Sequence, residues 1–252
     1  MSKTFHILNG DALLQHWPPG LSGEKIVCRE CFIDGPVKAT HLEQLFEQRA
    51  RFLATNYEAC TLEEYRDNSI MEFAKMQQIQ PEDQVNLWFE DDLFCQINSW
   101  FVAWYLCQQN SFEHVYMVRP DKRSPYGFHA YSKEELMELY TQRRLVCELS
   151  TLAECWVAYS HADQKKLQQL ALTLPSAMDY VKSAVEAYIE MHPEGDQLGR
   201  PQTVLKEIIA QKGVKDFGAI FRSFQKALPQ YGFGDLQVKK MVDEQINEEL
   251  RR

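Results

Sequence analysis

The chain has 252 residues, 45% of them hydrophobic and 25% charged, with a formal net charge of −9. That is enough chain for one large or two smaller domains with a proper core, and the composition is that of an ordinary globular protein. It works against nucleic acid or anionic lipid as partner, because residues 178–252 carry a net −1 and the remainder −8, so neither part is basic.

No apolar run reaches the roughly 18 residues needed to span a bilayer, so no membrane partner is expected. Met1–His6 leads straight into a strand pattern, without the basic leader and apolar stretch of a secretion signal. The seven cysteines are odd in number and scattered, which points to reduced thiols and a cytoplasmic location.

In chain order, Thr4–Leu8 alternates and ends at Asn9-Gly10-Asp11, a strand followed by a turn. Asp11–Trp17 reads as a short helix stopped by Pro18-Pro19-Gly20, and Glu24–Arg29 as a second strand. Gly35-Pro36 breaks the chain again. Thr40–Thr55 follows as a helix with Leu42, Leu45, Phe46, Arg49 and Phe52 on one face, then Leu62–Ile79. Asp83–Phe89 is a third strand, Leu93–Gln108 a helix and His114–Val118 a fourth strand. Strands alternating with helices predict a mainly parallel sheet with right-handed crossovers.

Beyond Arg119-Pro120 the strand signals fade. Ser132–Arg144 is predicted helical, with a capping box of Ser132 and Glu135. Helical runs follow at Leu152–Ser160, Gln164–Thr173, Ala177–Met191, Thr203–Lys212, Phe217–Ala227 and Leu236–Leu250. The expected fold is therefore α/β, a small Rossmann-like sheet over residues 1–125 followed by a helical region over 126–252.

The strongest functional signal is Glu90-Asp91-Asp92, between the third strand and its helix. In open α/β sheets ligands bind beyond the carboxyl ends of strands. One acid there is an ordinary helix cap, but three exceed what capping needs. Gln96 shares a helix face with Asp92. Trp88 is either a pocket wall or core. Asn9-Gly10-Asp11 offers a tight turn with two polar side chains, yet only one glycine of the dinucleotide fingerprint. Glu30 falls at the end of the second strand, where an acid can hold ribose hydroxyls. Its neighbour Arg29 can pair with an acid instead. His6 sits within the first strand and is either a core histidine or a ligand contact.

These residues divide into candidate catalytic carboxylates (Glu30, Glu90, Asp92) and candidate ligand contacts (His6, Asn9, Gly10, Asp11, Arg29, Trp88, Gln96). Cys28-x-x-Cys31 has zinc-like spacing but no second ligand pair. No metal set is complete, and the cofactor stays unknown, although oxygen ligands of this kind suit Mg²⁺. Arg119, Lys122 and Arg123 either bind an anion at the cleft rim or form a solvated loop. Leu93, Phe94, Ile97, Trp100, Phe101, Trp104 and Tyr105 nearly encircle their helix, so either the C-terminal helices or a second copy in a homo-oligomer must cover it. Thr203–Phe224 has the outline of a helix-turn-helix, but lacks a basic stripe and reads better as a structural bundle.

Taken together, these motifs resemble the bacterial "domain of unknown function 1835" family over most of the chain. His6-Ile-Leu-Asn-Gly-Asp11 is similar to its opening motif, Arg29-Glu30 with Gly35-Pro36 to its second, and Leu87-Trp-Phe-Glu-Asp-Asp-Leu-Phe-Cys-Gln96 to its third. Trp156–Ser160, Leu198-Gly-Arg200 and Gly234-Asp235 are similar too. Asp91 stands where the family pattern often has His, and Ala12 where it often has Ser. The resemblance implies no assigned activity. Two functions fit. One is a hydrolase- or transferase-type enzyme using carboxylate acid/base chemistry on a small polar, nucleotide- or sugar-like molecule. The other is a non-catalytic ligand-sensing or interaction module whose helical half relays to a partner.

Overall fold

The computed structural model describes residues 2–57, 61–121, 124–193, 195 and 197–250, with 248–250 as backbone only. Five strands form one sheet: β1 (Thr4–Asn9), β2 (Glu24–Cys28), β3 (Gln84–Trp88), β4 (Val115–Val118) and β5 (Arg144–Leu145). Their order is β2-β1-β3-β4-β5. The first four are parallel and β5 runs antiparallel to β4. The fold is α/β with a helical C-terminal region, as the alternation of patterns predicts.

The helices on the sheet are α1 (Asp11–Gln15), α2 (Leu42–Asn56), α3 (Leu62–Tyr65), α4 (Met71–Lys75), α5 (Leu93–Cys107) and α6 (Lys133–Thr141). The C-terminal helices are α7 (Leu149–Ser160), α8 (Gln164–Thr173), α9 (Asp179–Met191), α10 (Arg200–Lys212), α11 (Phe217–Ala227) and α12 (Asp235–Leu250). The expected helix over Leu62–Ile79 is a continuous run through α3, a π-helical turn at Arg66–Ile70, α4 and a 3-10 turn at Met76–Gln78.

Each face of the sheet has its own core. Phe5, Ile7, Ile26, Val85, Leu87, Val115 and Met117 point to one side and merge with α2, α4, α5 and the C-terminal helices. Leu8, Val27, Trp88 and Val118 point to the other, beneath Leu13 of α1 and Leu136 and Leu139 of α6. This split follows from the strand order. The β1–α1–β2 and β2–α2…α4–β3 crossovers run in opposite directions, so right-handedness puts their helices on opposite faces. Helix α5 is buried from Leu93 to Ala103 save Phe94, and α7 and α9 supply its cover.

Two details differ from the expectation, and a third feature closes the edge of the sheet. The helix predicted over Ser132–Arg144 stops at Thr141, and Arg144–Leu145 then pairs with Met117 and Tyr116. A two-residue exposed strand carries no alternation to read. The sheet thus takes its fifth strand from beyond residue 125, and the larger core runs from β1 through α12. Finally, the outer edge of β2 is occupied: the Val27 N–H donates to the Glu72 carboxylate at 3.0 Å, which removes a donor that an exposed edge would offer to another chain. Among the described residues, no helix is long and apolar enough to cross a membrane.

Candidate functional site

Strand order reverses around β1, because β2 lies on one side and β3 on the other. Such a reversal opens a crevice beyond the carboxyl ends of the strands. A cleft of about 380 Å³ lies there, lined by the ends of β1 and β2, the π turn, Leu53 and Tyr57 of α2 and its C-cap, Phe94 of α5, and Leu236 and Gln237 of α12.

Gly10 makes the cleft's inner turn. Its φ of +82° is open to glycine and strained for other residues, and its N–H donates to Cys28 O at 3.1 Å, binding the end of β1 to β2. Asp11 comes next and accepts two hydrogen bonds from Arg29, from Nε and Nη2, both at 2.8 Å. Arg29 also donates to Asn68 O at 2.9 Å, and Ser69 Oγ donates to Arg29 O at 2.9 Å. The π turn is thereby drawn onto the end of β2. A π turn places an extra residue in a helix and recurs at functional sites. Here it puts Asn68, exposed, at the lip of the cleft.

Glu30 does not offer its carboxylate to this cleft. Its side chain is buried against the buried Arg49, which donates from Nη2 at 2.8 Å and from Nε at 3.2 Å. Tyr65 Oη and the Cys31 N–H donate to it as well. Arg49 lies over the rings of Phe32 and Phe52 and donates to the backbone carbonyls of Cys31 and Asp34. This acid is structural: it pins the loop after β2 to α2. The residue lines the cleft, but its carboxylate is taken up by these partners.

The three acids after β3 take three different roles. Asp91 is held by Arg119 through two bonds of 2.7 and 2.6 Å, and the guanidinium stacks 3.5 Å over Tyr180. Asp92 is buried and caps α5, accepting the Cys95 N–H at 2.9 Å; burial pushes its carboxyl up to about 6. Glu90 accepts the Cys95 thiol at 3.2 Å and the Phe128 N–H at 3.4 Å. Burial, and then the Asp92 charge, push it up to about 7. Gln96 is buried and donates to Glu90 O at 2.7 Å, so it braces the strand end rather than facing a ligand.

His6 and Trp88 lie on the sheet's other face, in the smaller aromatic core. Trp88 Nε1 donates to His6 Nδ1 at 3.1 Å, which leaves Nε2–H to donate to Ser22 O at 3.0 Å. The ring packs against Trp17 and Tyr140. Burial lowers its pKa to about 4, and the residue lies in this core outside the cleft.

A buried relay joins the strand ends. Asn98 of α5 donates to Glu30 O and to Asn9 Oδ1, both at 2.8 Å. Asn9 Nδ2 donates to Cys95 Sγ at 2.8 Å, and the thiol donates onward to Glu90. The structure therefore gathers Asn9, Gly10, Asp11, Arg29 and Glu30 at one cleft and sets Glu90 behind it, one thiol away. Asp92, Gln96, Trp88 and His6 fall outside. Sequence reasoning missed Asn98 and Cys95, which sit inside an apolar helix, and Gln237, whose amide donates to Cys31 Sγ at 3.2 Å from the far end of the chain. Arg49 had a signal, since it is a lone cation on the apolar face of α2.

Cys28 and Cys31 both line the cleft, and burial pushes both thiols up, Cys31 to about 12. Among the described residues, no group of three or more His, Cys, Asp or Glu is placed to hold a metal ion. Lys122 and Arg123 lie outside the described residues. A second cavity of about 880 Å³ lies between the β4–β5 edge, α6 and the start of α9, with Arg119, Arg144 and Tyr180 in its wall. It is remote from the strand-order reversal, and Arg119 is already held by Asp91.

A scan against protein-family models finds no match. Searches of curated proteins and of solved structures find none either.

Proposed function

We propose that the protein binds a small polar molecule in the cleft at the ends of β1 and β2, and that binding, rather than carboxylate catalysis, is its main activity. One observation carries this reading. The cleft occupies the strand-order reversal, yet the candidate catalytic carboxylates are engaged elsewhere: Glu30 by Arg49, Glu90 by Cys95 and the Phe128 N–H, and Asp92 by its own helix. What faces the cleft recognises rather than reacts: Asn9, Asp11 with Arg29, Asn68 and Gln237 beside Leu53 and Phe94. A concave, partly apolar site with a few placed polar groups is the usual form of a small-molecule site. The reversal of strand order at β1 and the free thiols of the described cysteines support a cytoplasmic metabolite as ligand.

One observation favours an enzyme as a second reading. Glu90 is held near neutrality and is linked through Cys95 to Asn9 in the cleft wall. A carboxyl tuned in this way suits general acid/base work. Membership of the "domain of unknown function 1835" family belongs to the same proposal. It is supported by the His6–Asp11, Arg29-Glu30 and Leu87–Gln96 motifs lying at the ends of adjacent strands.

The test is thermal shift of the full chain against a metabolite panel, repeated with Asn68→Trp, which fills the lip without entering the core. At least one compound should stabilise the wild-type chain by several degrees, and the shift should vanish in the variant while its circular dichroism stays unchanged. A shift that persists in the variant, or a panel with no hit, contradicts the reading. Glu90→Gln separates the two functions: retained binding with lost turnover of the hit would establish the enzyme.

A further inference from the structure

The charges around the cleft limit what it accepts. Three cations line or back it, and each already has a carboxylate. Arg29 is bound to Asp11 through two bonds of 2.8 Å, with Glu72 a further 3.8 Å from its Nη1. Arg49 is bound to Glu30, and Lys240 to Asp34 at 2.7 Å. A phosphoryl group entering here would meet the Asp11 carboxylate first and no uncompensated cation among the described residues. At short range like charges repel even with solvent screening.

The hydrogen-bonding capacity is limited too. Both ends of the Asn9 amide are engaged, by Asn98 and Cys95. Ser69 Oγ donates to Arg29 O, and Gln237 donates to Cys31 Sγ and accepts from the Gly234 N–H. Each of these groups keeps part of its capacity, and the most solvent-facing share belongs to Asp11 and the exposed Asn68. Phe94, Leu53 and Leu236 form an apolar wall around them.

We infer that the ligand is a flat, uncharged heteroaromatic molecule of nucleobase or nucleoside size, not a nucleotide or a phosphosugar, with its polar edge on Asp11 and Asn68 and its ring against Phe94. This rests on the cleft being the ligand site.

The experiment is equilibrium binding of the four common ribonucleosides, their free bases and their 5′-monophosphates to the full chain, at fixed ionic strength, with wild type and Asp11→Asn. A base or nucleoside should bind, and its monophosphate should bind at least tenfold more weakly. Asp11→Asn removes the nearer of the two carboxylates around Arg29 and leaves only Glu72 at 3.8 Å, so that gap should shrink by at least fivefold. A purely structural role for Asp11 would weaken both ligands alike. Equal or tighter binding of the monophosphate to wild type overturns the inference but leaves the cleft as the ligand site. So does binding of none of these probes while a compound of the broader panel still binds and is blocked by Asn68→Trp. No binding anywhere overturns both.

Discussion

Glu90 and His6 show how one environment, burial, gives opposite pH signatures. The carboxyl of Glu90 is raised to about 7 in the folded chain, against about 4.3 when unfolded. Between those values the native chain holds a proton that the unfolded chain releases. Glu90 therefore favours the native state at acid pH and loses that contribution as pH rises through 7. His6, lowered to about 4, has the reverse sign: its contribution is present above about 6.5 and is lost as pH falls toward 4. The two oppose each other in the wild-type curve, so the test compares it with Glu90→Gln. Urea unfolding at pH 5 and pH 8 should show the wild type losing about 2 kcal/mol relative to the variant across that interval. Parallel curves would mean that the carboxyl is not buried as described. The sequence located Glu90 but not this behaviour, because its cause is desolvation in the folded chain beside the Asp92 charge, which outweighs the opposing hydrogen bonds from Cys95 and Phe128. Glu30 teaches the same lesson from the other side. Its position at a strand end was legible. Its pairing with Arg49 depends on how α2 crosses the sheet, and no local pattern states that.

At the scale of elements, the strands and helices follow the periodicities closely, although two-sided burial adds Leu8 and Trp88 on the second face to the alternating Phe5 and Ile7 of β1 and Val85 and Leu87 of β3. The features that shape the cleft are the irregular ones: the π turn at Arg66–Ile70 and the docking of the α11–α12 connection on α5. The latter hangs on Gly232. It is left-handed at φ +68°, and a Cβ there would overlap the Asp92 carboxylate and press on Phe94. Gly20 is also left-handed, at φ +87°, but a Cβ would meet open space. Gly20→Ala should cost about 1 kcal/mol from backbone strain alone. Gly232→Ala should cost about 2–4 kcal/mol, since the buried N-cap must also shift. Equal losses in urea unfolding would show that the contact with Asp92 is not tight.

Across the whole molecule, the C-terminal helices do two jobs. Helices α7 and α9 cover α5, and α12 supplies one wall of the cleft through Leu236 and Gln237 while Lys240 reaches Asp34. An acidic, mainly parallel α/β chain with a helical tail was legible from composition and pattern. The return of that tail onto the strand ends was not, because it joins residues some two hundred positions apart. Hydrogen exchange, with and without the compound that stabilises the chain most, reads the position of the ligand across all of these elements at once. Slowed exchange should concentrate in residues 9–11, 28–31 and 66–70 and at the start of α12. Protection confined to 142–148 and 175–180, around the larger cavity, would place the ligand elsewhere and contradict the account.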